Sequence, residues 1–194
     1  MPLLSPYIRN LRIKLVQKYV YGSVLDLGCG YEGVAYPILK PGVDAYYGIE
    51  FDEEAVEALQ KKYPGAKFFA KDLDDDPLQF ELKFDCILMV ALIEHIFNQK
   101  HLMKEVLNCL KEDGQVIITT PTPLGDFVHE IGSYLGLFYK EATEGHIIIY
   151  NKKRFQILAN QFGLVICKYE LFEFGCNQLV ILTKKPASDC LASA

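Results

Sequence analysis

A glycine-rich stretch near the start of the chain has the residue types of a ligand-binding turn. An apolar run, residues 24–27, leads into Gly28, Gly30 and Gly33, and a helix is expected to follow. Glycine lets the backbone turn sharply and lets a ligand come close to the main chain. The spacing is typical of nucleoside and dinucleotide sites, but a glycine turn with a purely structural role produces the same pattern.

Three acidic residues narrow the choice of ligand. Asp26 lies two positions before the first glycine, where its charge would repel a pyrophosphate and attract a cationic amine, such as that of S-adenosylmethionine. Glu50 comes roughly twenty residues after that glycine, where ribose-binding carboxylates lie in such folds. Asp72 is placed to accept a hydrogen bond from an adenine amino group. Because three more aspartates follow it, loop solvation is the alternative.

The elements that position these residues follow from an alternation of apolar runs with helical stretches. This alternation predicts a mainly parallel sheet covered by helices on both faces. Strands are predicted at residues 23–27, 45–50, 66–70, 84–90, 115–120, 164–174 and 178–184. Helices are predicted after the glycine turn and at residues 5–20, 52–62, 98–110 and 151–162, with Asp52 and Asn151 as N-caps. Residues 121–145 form a long connection, which predicts a lid over the substrate.

In order and spacing, these motifs resemble those of the class I S-adenosylmethionine-dependent methyltransferases. The resemblance covers residues 20–184 and is carried by residues 24–33, 47–50, 71–73, 84–87, 94–96 and 110–115, by Thr120-Pro121 and by the closing hairpin. It implies an α/β fold with a Rossmann-like, doubly wound, seven-stranded sheet whose last strand is antiparallel, and S-adenosyl-L-methionine as the cofactor. One position departs from the family: Glu32 stands where the third glycine is usual, and Gly33 follows one residue later.

The resemblance also implies which residues contact the cofactor, and it bears on metal binding. It implies cofactor roles for Asp26, Gly28, Gly30, Glu50 and Asp72, and the further predicted contacts are Cys29, Phe51, Leu73 and Val90. The sequence Glu94-His95-Ile96 looks most similar to the subset that acts on small molecules, including the ubiquinone-biosynthesis O-methyltransferases and the terminal RNA 2′-O-methyltransferases. Some of these hold a divalent metal with a further Glu three residues before the Glu-His pair. Ala91 occupies that position here, so no metal site is predicted.

Histidines and one aromatic segment are the candidates for catalysis and acceptor binding. An oxygen nucleophile often needs a general base, and His95 and His146 are predicted to be catalytic, with His129 as a further candidate. The alternative for each is simple packing, and for Glu94 it is to begin and cap the following helix. The predicted substrate contacts are Phe127, Tyr134 and Tyr139 in the lid. Packing on the sheet edge, a dimer contact and a membrane-surface helix remain open for that segment.

Length and composition limit the domain count and the classes of partner. The 194 residues are predicted to form one methyltransferase domain over 1–186, with an N-terminal helix in 1–20 and a flexible tail at 187–194. The net charge of −5 argues against nucleic acid as a partner. The basic residues Arg9, Arg12, Lys14 and Lys18 recur on a helical pattern that predicts a solvated face. With no Cys-x-x-Cys pair, signal-peptide pattern or membrane-spanning run, a cytoplasmic protein is expected.

Together these observations predict methyl transfer from S-adenosylmethionine to an oxygen or nitrogen of a small, partly apolar acceptor. The protein is expected to be a monomer or a homodimer. Two alternatives stay open, an NAD(P)-dependent oxidoreductase and a non-catalytic adaptor that binds the cofactor. The position of Asp26 and the lack of room for a second catalytic domain argue against the oxidoreductase.

Overall fold

Seven strands form one sheet in the part of the chain that the computed structural model describes, residues 5–134 and 147–184. Side chains are described for residues 6–128 and 147–184. The strands are β1 (Ser23–Leu27), β2 (Ala45–Glu50), β3 (Lys67–Ala70), β4 (Phe84–Val90), β5 (Leu110–Pro121), β6 (Val165–Phe172) and β7 (Asn177–Thr183).

The strand order of the sheet is β3-β2-β1-β4-β5-β7-β6. The strands from β1 to β5 pair in parallel, and β7 runs antiparallel to both of its neighbours, β5 and β6. The predicted Rossmann-like sheet with an antiparallel last strand is therefore confirmed. The chain moves outward from β1 to β3 and then crosses back to β4, so the order reverses beside β1. Ligands of such sheets bind at the carboxyl ends of the strands at this reversal.

The helices lie on both faces of the sheet. Their bounds are α1 (Ser5–Gln17), α2 (Ala35–Leu39), α3 (Glu53–Lys62), α4 (Gln99–Cys109), α5 (Pro123–Tyr134) and α6 (Lys152–Gln161). Asp52 caps α3 by accepting a 2.8 Å hydrogen bond from the Ala55 N–H, and Asn151 caps α6 through the Arg154 N–H at 3.0 Å. Both predicted N-caps are thus confirmed, because a cap depends only on residues three or four apart in sequence.

Two apolar layers separate the helices from the sheet. On one face Val16 of α1, Tyr36 of α2 and Leu59 of α3 are buried, and on the other Val106 of α4 and Phe155 of α6. The central strand β4 contributes side chains to both layers, as expected of a parallel strand covered on both faces.

The structure corrects the interpretation of α1 as carrying a wholly solvated basic face. Arg12 is buried, with only 9% of its surface exposed, while Lys14 is exposed. Arg12 shares a helix face with the buried Val16, four residues later, and that face packs on the sheet. The helix predicted from the apolar pattern is present, but Arg12 lies on the side of it that faces the sheet.

Candidate functional site

The glycine turn after β1 leaves one backbone position open to a ligand. Gly28, Gly30 and Gly33 all have positive φ angles, of 67°, 73° and 57°. A Cβ at Gly28 would lie 2.8 Å from a methyl carbon of Leu92, and one at Gly33 would lie 2.6 Å from a methyl carbon of Leu59. A Cβ at Gly30 would meet no atom of the described residues within 4 Å. Gly28 and Gly33 therefore serve packing, whereas Gly30 presents bare backbone to open space.

Glu50, the last residue of β2, holds this turn in place. Its Oε2 accepts a 2.8 Å hydrogen bond from the Gly30 N–H, and its Oε1 accepts one of 2.9 Å from the Phe51 N–H. Each carboxylate oxygen has two lone-pair sites, so both can accept a further hydrogen bond. The Phe51 side chain is 71% exposed at the same edge of the sheet. The Glu50 carboxylate thus connects the open backbone of Gly30 to the backbone of Phe51.

Asp26 lies inside β1 and is almost completely buried, with 2% of its surface exposed. Its carboxylate accepts a hydrogen bond from the hydroxyl of Tyr46, which sequence reasoning did not identify. Burial raises the pKa of Asp26 to about 7, the Tyr46 hydrogen bond lowers it, and the charge of Glu50 raises it. A cation held beside this carboxylate would favour its ionised form.

Two of the other predicted cofactor residues turn their side chains into the core. Cys29 is buried, burial raises the pKa of its thiol, and its backbone N–H donates a 2.9 Å hydrogen bond to the Ile49 carbonyl. Leu73 is also buried. A ligand at this site would contact the main chain of Cys29 and the small exposed part of the Leu73 side chain.

The loop after β3 bounds a cavity of about 500 Å³ at the ends of β2 and β3. Asp72 shapes this loop, because its Oδ1 accepts a 2.9 Å hydrogen bond from the Asp74 N–H. Asp72 thus stabilises the loop through this hydrogen bond and also lines the cavity, and its contact with adenine stays a prediction. The cavity-lining residues are Phe51, Asp52, Glu53, Glu54, Ala70, Lys71, Asp72 and Asp76.

The segment after β4 places a buried carboxylate at the next strand end. Val90 is half-buried, and Ala91 has a positive φ of 53° and donates a 2.8 Å hydrogen bond to the Thr119 carbonyl. Glu94 follows in a 3₁₀ turn, Ile93–His95, with 2% of its surface exposed. Within the described ranges, neither of its carboxylate oxygens has a hydrogen-bond partner.

The helix-capping alternative for Glu94 is wrong. Asn98 caps α4 instead, by accepting a 3.3 Å hydrogen bond from the His101 N–H. His95 is half-buried next to Glu94 at the end of β4, as the sequence predicts, and its catalytic role stays a prediction.

The structure brings together several polar residues between α1 and the sheet that sequence reasoning did not identify. The Arg12 Nη2 donates a 2.7 Å hydrogen bond to Asn177 Oδ1, and the Asn177 amide donates to Glu173. Burial lowers the pKa of Arg12, and the nearby charges of Glu94 and Glu173 counter part of that shift. The helix face shared by Arg12 and Val16 is the one sequence signal that could have indicated burial.

The structure describes only some of the remaining candidates for catalysis and acceptor binding. Phe127 lies on α5 and is 58% exposed. Tyr134 and His129 belong to α5, but their side chains are outside the described set, and Tyr139 and His146 lie outside the described residues altogether. In the described part of the chain, no group of three or more His, Cys, Asp or Glu side chains is arranged to hold a metal ion.

Comparison with known proteins identifies the family. A family model described as a methyltransferase domain matches residues 6–169. A probable S-adenosylmethionine-dependent methyltransferase of Mycobacterium tuberculosis is 25% identical over 108 residues, which are 56% of this chain and 39% of that protein. A ubiquinone biosynthesis O-methyltransferase of Rickettsia akari is 26% identical over 107 residues, 50% of this chain and 39% of that protein.

Solved structures share the fold at low sequence identity. An S-adenosylmethionine-dependent methyltransferase from Clostridium acetobutylicum superimposes with a TM-score of 0.65 and 15% identity, covering 92% of this chain and 90% of that one. The curated relatives are longer, since the match spans about two fifths of their length. The predicted resemblance and its cofactor class are confirmed, and the nicotinamide alternative loses its support. The chain belongs to the family of methyltransferase domains, with the fold of the class I S-adenosylmethionine-dependent methyltransferases.

Proposed function

We propose that the protein transfers the methyl group of S-adenosylmethionine to an oxygen or nitrogen of a small, partly apolar acceptor. One observation carries the cofactor part of this proposal. The carboxylate of Glu50 binds the N–H of Gly30 while the space above the Gly30 Cα is open. This arrangement offers a ribose two carboxylate oxygens next to a backbone that a ligand can approach closely.

The residues along the ends of β1, β2 and β3 fit the three parts of the cofactor. Glu50 would hold the ribose hydroxyls, and the cavity beside Asp72 and Phe51 would take the adenine. The buried carboxylate of Asp26 would attract the ammonium group of the methionine part. When bound, S-adenosylmethionine supplies an electrophilic methyl group on a sulfonium, with a good leaving group behind it.

The chain's own contribution to the reaction is to position the nucleophile of the acceptor and, where needed, to remove its proton. Alignment of two reactants in one site can contribute several kcal/mol to lowering the barrier. His95 follows β4 at the edge where the cofactor residues lie, so we propose it as the base for an oxygen nucleophile. His146 is the second proposed base.

The net charge of the chain bears on the class of acceptor. We propose a small molecule rather than nucleic acid as the acceptor, because the net charge is −5. The proposed assembly is a monomer or homodimer in the cytoplasm. None of the described helices has the length and apolar composition needed to cross a membrane.

Calorimetry with S-adenosylhomocysteine and NAD tests the cofactor. We expect S-adenosylhomocysteine to bind in the micromolar range. At a hundred times its dissociation constant it should add about 2.7 kcal/mol to the free energy of unfolding. Equal or greater stabilisation by NAD would contradict the proposal.

Transfer of labelled methyl groups to the small molecules of a cell extract tests catalysis. Binding of S-adenosylhomocysteine without any transfer would instead support the non-catalytic adaptor. We expect transfer to persist in EDTA, because Ala91 supplies no ligand where metal-using relatives carry a carboxylate. Loss of transfer in EDTA and its recovery with magnesium would show that a metal is needed.

A further inference from the structure

Four buried polar residues and one half-buried glutamate form a cluster between α1 and the sheet that the proposed cofactor site does not use. We call Arg12, Glu94, Thr119, Glu173 and Asn177 the Arg12 cluster. Hydrogen bonds join Arg12 to Asn177 and Asn177 to Glu173. The Ala91 N–H binds the Thr119 carbonyl, which brings the turn carrying Glu94 to the end of β5. Arg12 also lies close enough to Glu94 and Glu173 to respond to their charges.

Most members of the Arg12 cluster have polar atoms that no group of the described residues satisfies. In the described part of the chain, the inaccessible atoms without a hydrogen-bond partner include both oxygens of Glu94, Oε1 of Glu173, Oγ1 of Thr119 and Nε of Arg12. Glu94 and Thr119 are 2% and 0% exposed, so water does not solvate their side chains freely. Native proteins satisfy roughly nine in ten buried polar groups, and a concentration of exceptions calls for an explanation.

The unsatisfied atoms of the Arg12 cluster indicate the chemistry of a missing partner. Glu94 and Glu173 carry two negative charges against the one positive charge of Arg12. The unsatisfied carboxylate oxygens outnumber the unsatisfied Arg12 N–H, and a hydroxyl can serve either role. A group that brings positive charge and several N–H donors would complete the cluster, whereas a carboxylate or phosphate would add to its surplus.

The positive φ angles of the described non-glycine residues occur within the Arg12 cluster and next to it. Among the residues that the structure describes, Ala91, Glu173 and Phe174 are the non-glycine residues with positive φ, at 53°, 52° and 56°. Glu173 belongs to the cluster, and Ala91 binds Thr119. Strained residues persist where the surrounding structure enforces them, and they concentrate at ligand sites.

An ion pair connects α1, which covers the Arg12 cluster, to the glycine turn of the cofactor site. Arg9 of α1 contacts Glu32 at 2.7 Å, and Glu32 stands where the family usually has a glycine. The cluster and the cofactor turn are therefore neighbours through α1. A ligand held by the cluster would lie on the β4 and β5 side of the cofactor residues.

We infer that the Arg12 cluster is the acceptor subsite and that it binds a protonated nitrogen group of the acceptor, an ammonium, amidinium or guanidinium. The inference rests on the proposed methyl-transfer function and adds a substrate class to it. Glu94 and Glu173 accept the N–H groups of the acceptor, and Thr119 accepts a further one. Arg12 keeps Asn177 and Glu173 in position.

The first test is the thermal stability of the full chain with Glu94→Gln. The substitution keeps the side-chain shape and removes a buried negative charge whose oxygens have no hydrogen-bond partner among the described residues. We expect the melting temperature to rise by about 2 to 4 °C, the shift that a moderate gain in stability gives in a protein of this size. Glu57→Gln is the control, because Glu57 is an exposed α3 residue, and it should leave the melting temperature unchanged. A clear fall in Glu94→Gln would show that Glu94 supports the fold, and would overturn the inference.

The second test identifies the charge of the methylated product. The protein is incubated with methyl-labelled S-adenosylmethionine and the small molecules of a cell extract. The products are separated by gradient elution from a cation-exchange column that resolves them from unreacted S-adenosylmethionine, which is itself a cation, and an incubation without the protein is the blank. We expect the label in the retained fraction, and we expect Glu94→Gln to lose at least about tenfold of that transfer while it binds S-adenosylhomocysteine as tightly as the wild type.

The outcomes separate this inference from the proposed function. Label found only in the neutral or anionic fraction would overturn the cationic acceptor and leave methyl transfer standing. Transfer that requires magnesium would assign the carboxylates to a metal, which also overturns the inference. Binding of S-adenosylhomocysteine with no label in any fraction would refute the proposed function, and the inference would fall with it.

Discussion

The carboxylates in two neighbouring parts of the sheet edge differ in whether the chain supplies their hydrogen-bond partners. At the ends of β1, β2 and β3, Asp26, Glu50 and Asp72 accept hydrogen bonds from groups of the chain itself. At the ends of β4 and β5, both oxygens of Glu94 lack a partner among the described residues, as does one oxygen of Glu173. The chain itself supplies hydrogen-bond donors to the carboxylates of the first part, whereas those of the second part have oxygens that no described residue satisfies.

This difference indicates how each part would meet its ligand. A site whose polar groups are already oriented loses little entropy when it binds, which suits a cofactor shared by a whole family. A site with unsatisfied buried groups gains most from a ligand that supplies the missing partners and rejects one that does not. The cofactor part would therefore provide affinity, and the Arg12 cluster would provide the choice of acceptor.

The largest effect is expected from Glu50→Ala in the cofactor part. Two charge-assisted hydrogen bonds to ribose would be lost, each worth about 1.5 to 3 kcal/mol. Calorimetry should show S-adenosylhomocysteine binding weakened by about a hundredfold or more, in a protein that circular dichroism shows to be folded. Glu57→Ala, on the exposed face of α3, serves as the control. Unchanged affinity in Glu50→Ala would show that Glu50 does not hold the ribose.

Arg12→Met tests whether the positive charge of the Arg12 cluster stabilises the fold. The substitution removes the donor to Asn177 and leaves Glu94 and Glu173 without a nearby positive charge. Breaking a buried ionic group in this way costs about 3 kcal/mol. Lys14→Met changes an exposed residue of the same helix and should alter stability by no more than about 0.5 kcal/mol. Equal urea denaturation midpoints for the two variants would show that Arg12 contributes no more than a surface charge.

Asp26 should make stability fall as pH rises. Because burial raises its pKa to about 7, the folded protein retains a proton that the unfolded chain releases near pH 4. The free energy of unfolding should decrease between about pH 4 and pH 7, by at most about 1.4 kcal/mol per pH unit from this group. Asp26→Asn should flatten this dependence, measured by denaturation across that range. If wild type and Asp26→Asn show parallel pH profiles, Asp26 is ionised throughout.

A proton released on cofactor binding would test whether Asp26 pairs with the ammonium group of the cofactor. A bound ammonium would lower the pKa of Asp26, so binding of S-adenosylhomocysteine near pH 7 should release a proton. Calorimetry in buffers of different ionisation enthalpy would detect that proton in the wild type, and Asp26→Asn should not release it. Proton uptake by the wild type would contradict the pairing.

The smallest effect is expected from Phe127→Ala on α5. The side chain is 58% exposed, so its loss should not unfold the protein. As a predicted acceptor contact, it should raise the half-saturating amount of acceptor several-fold, about 1 kcal/mol, and leave cofactor affinity unchanged. Leu171→Ala, a similarly exposed apolar residue of β6, should change neither. Reduced cofactor affinity in Phe127→Ala would assign Phe127 to packing or to the cofactor.

The sequence by itself determined where the strands and the glycine turn lie along the chain. The bounds predicted for β1, β2 and β4 match the structure residue for residue. Buried strands and caps leave local signals, because an apolar run between turn residues and a capping Asp or Asn act over only a few positions. The β5 strand was predicted from residue 115, but it begins at Leu110, where pairing with Phe84 extends it across Asp113-Gly114.

Only the tertiary structure decided which polar side chains are buried together. Arg12 and Asn177 are 165 positions apart, and Glu94 and Glu173 come from two further elements. Tyr46 reaches Asp26 because β2 pairs beside β1. A charged residue in a helix or turn looks the same in sequence whether it faces water or the core, since its burial depends on distant segments that pack against it. The cofactor site could therefore be predicted from local motifs, whereas the Arg12 cluster could not.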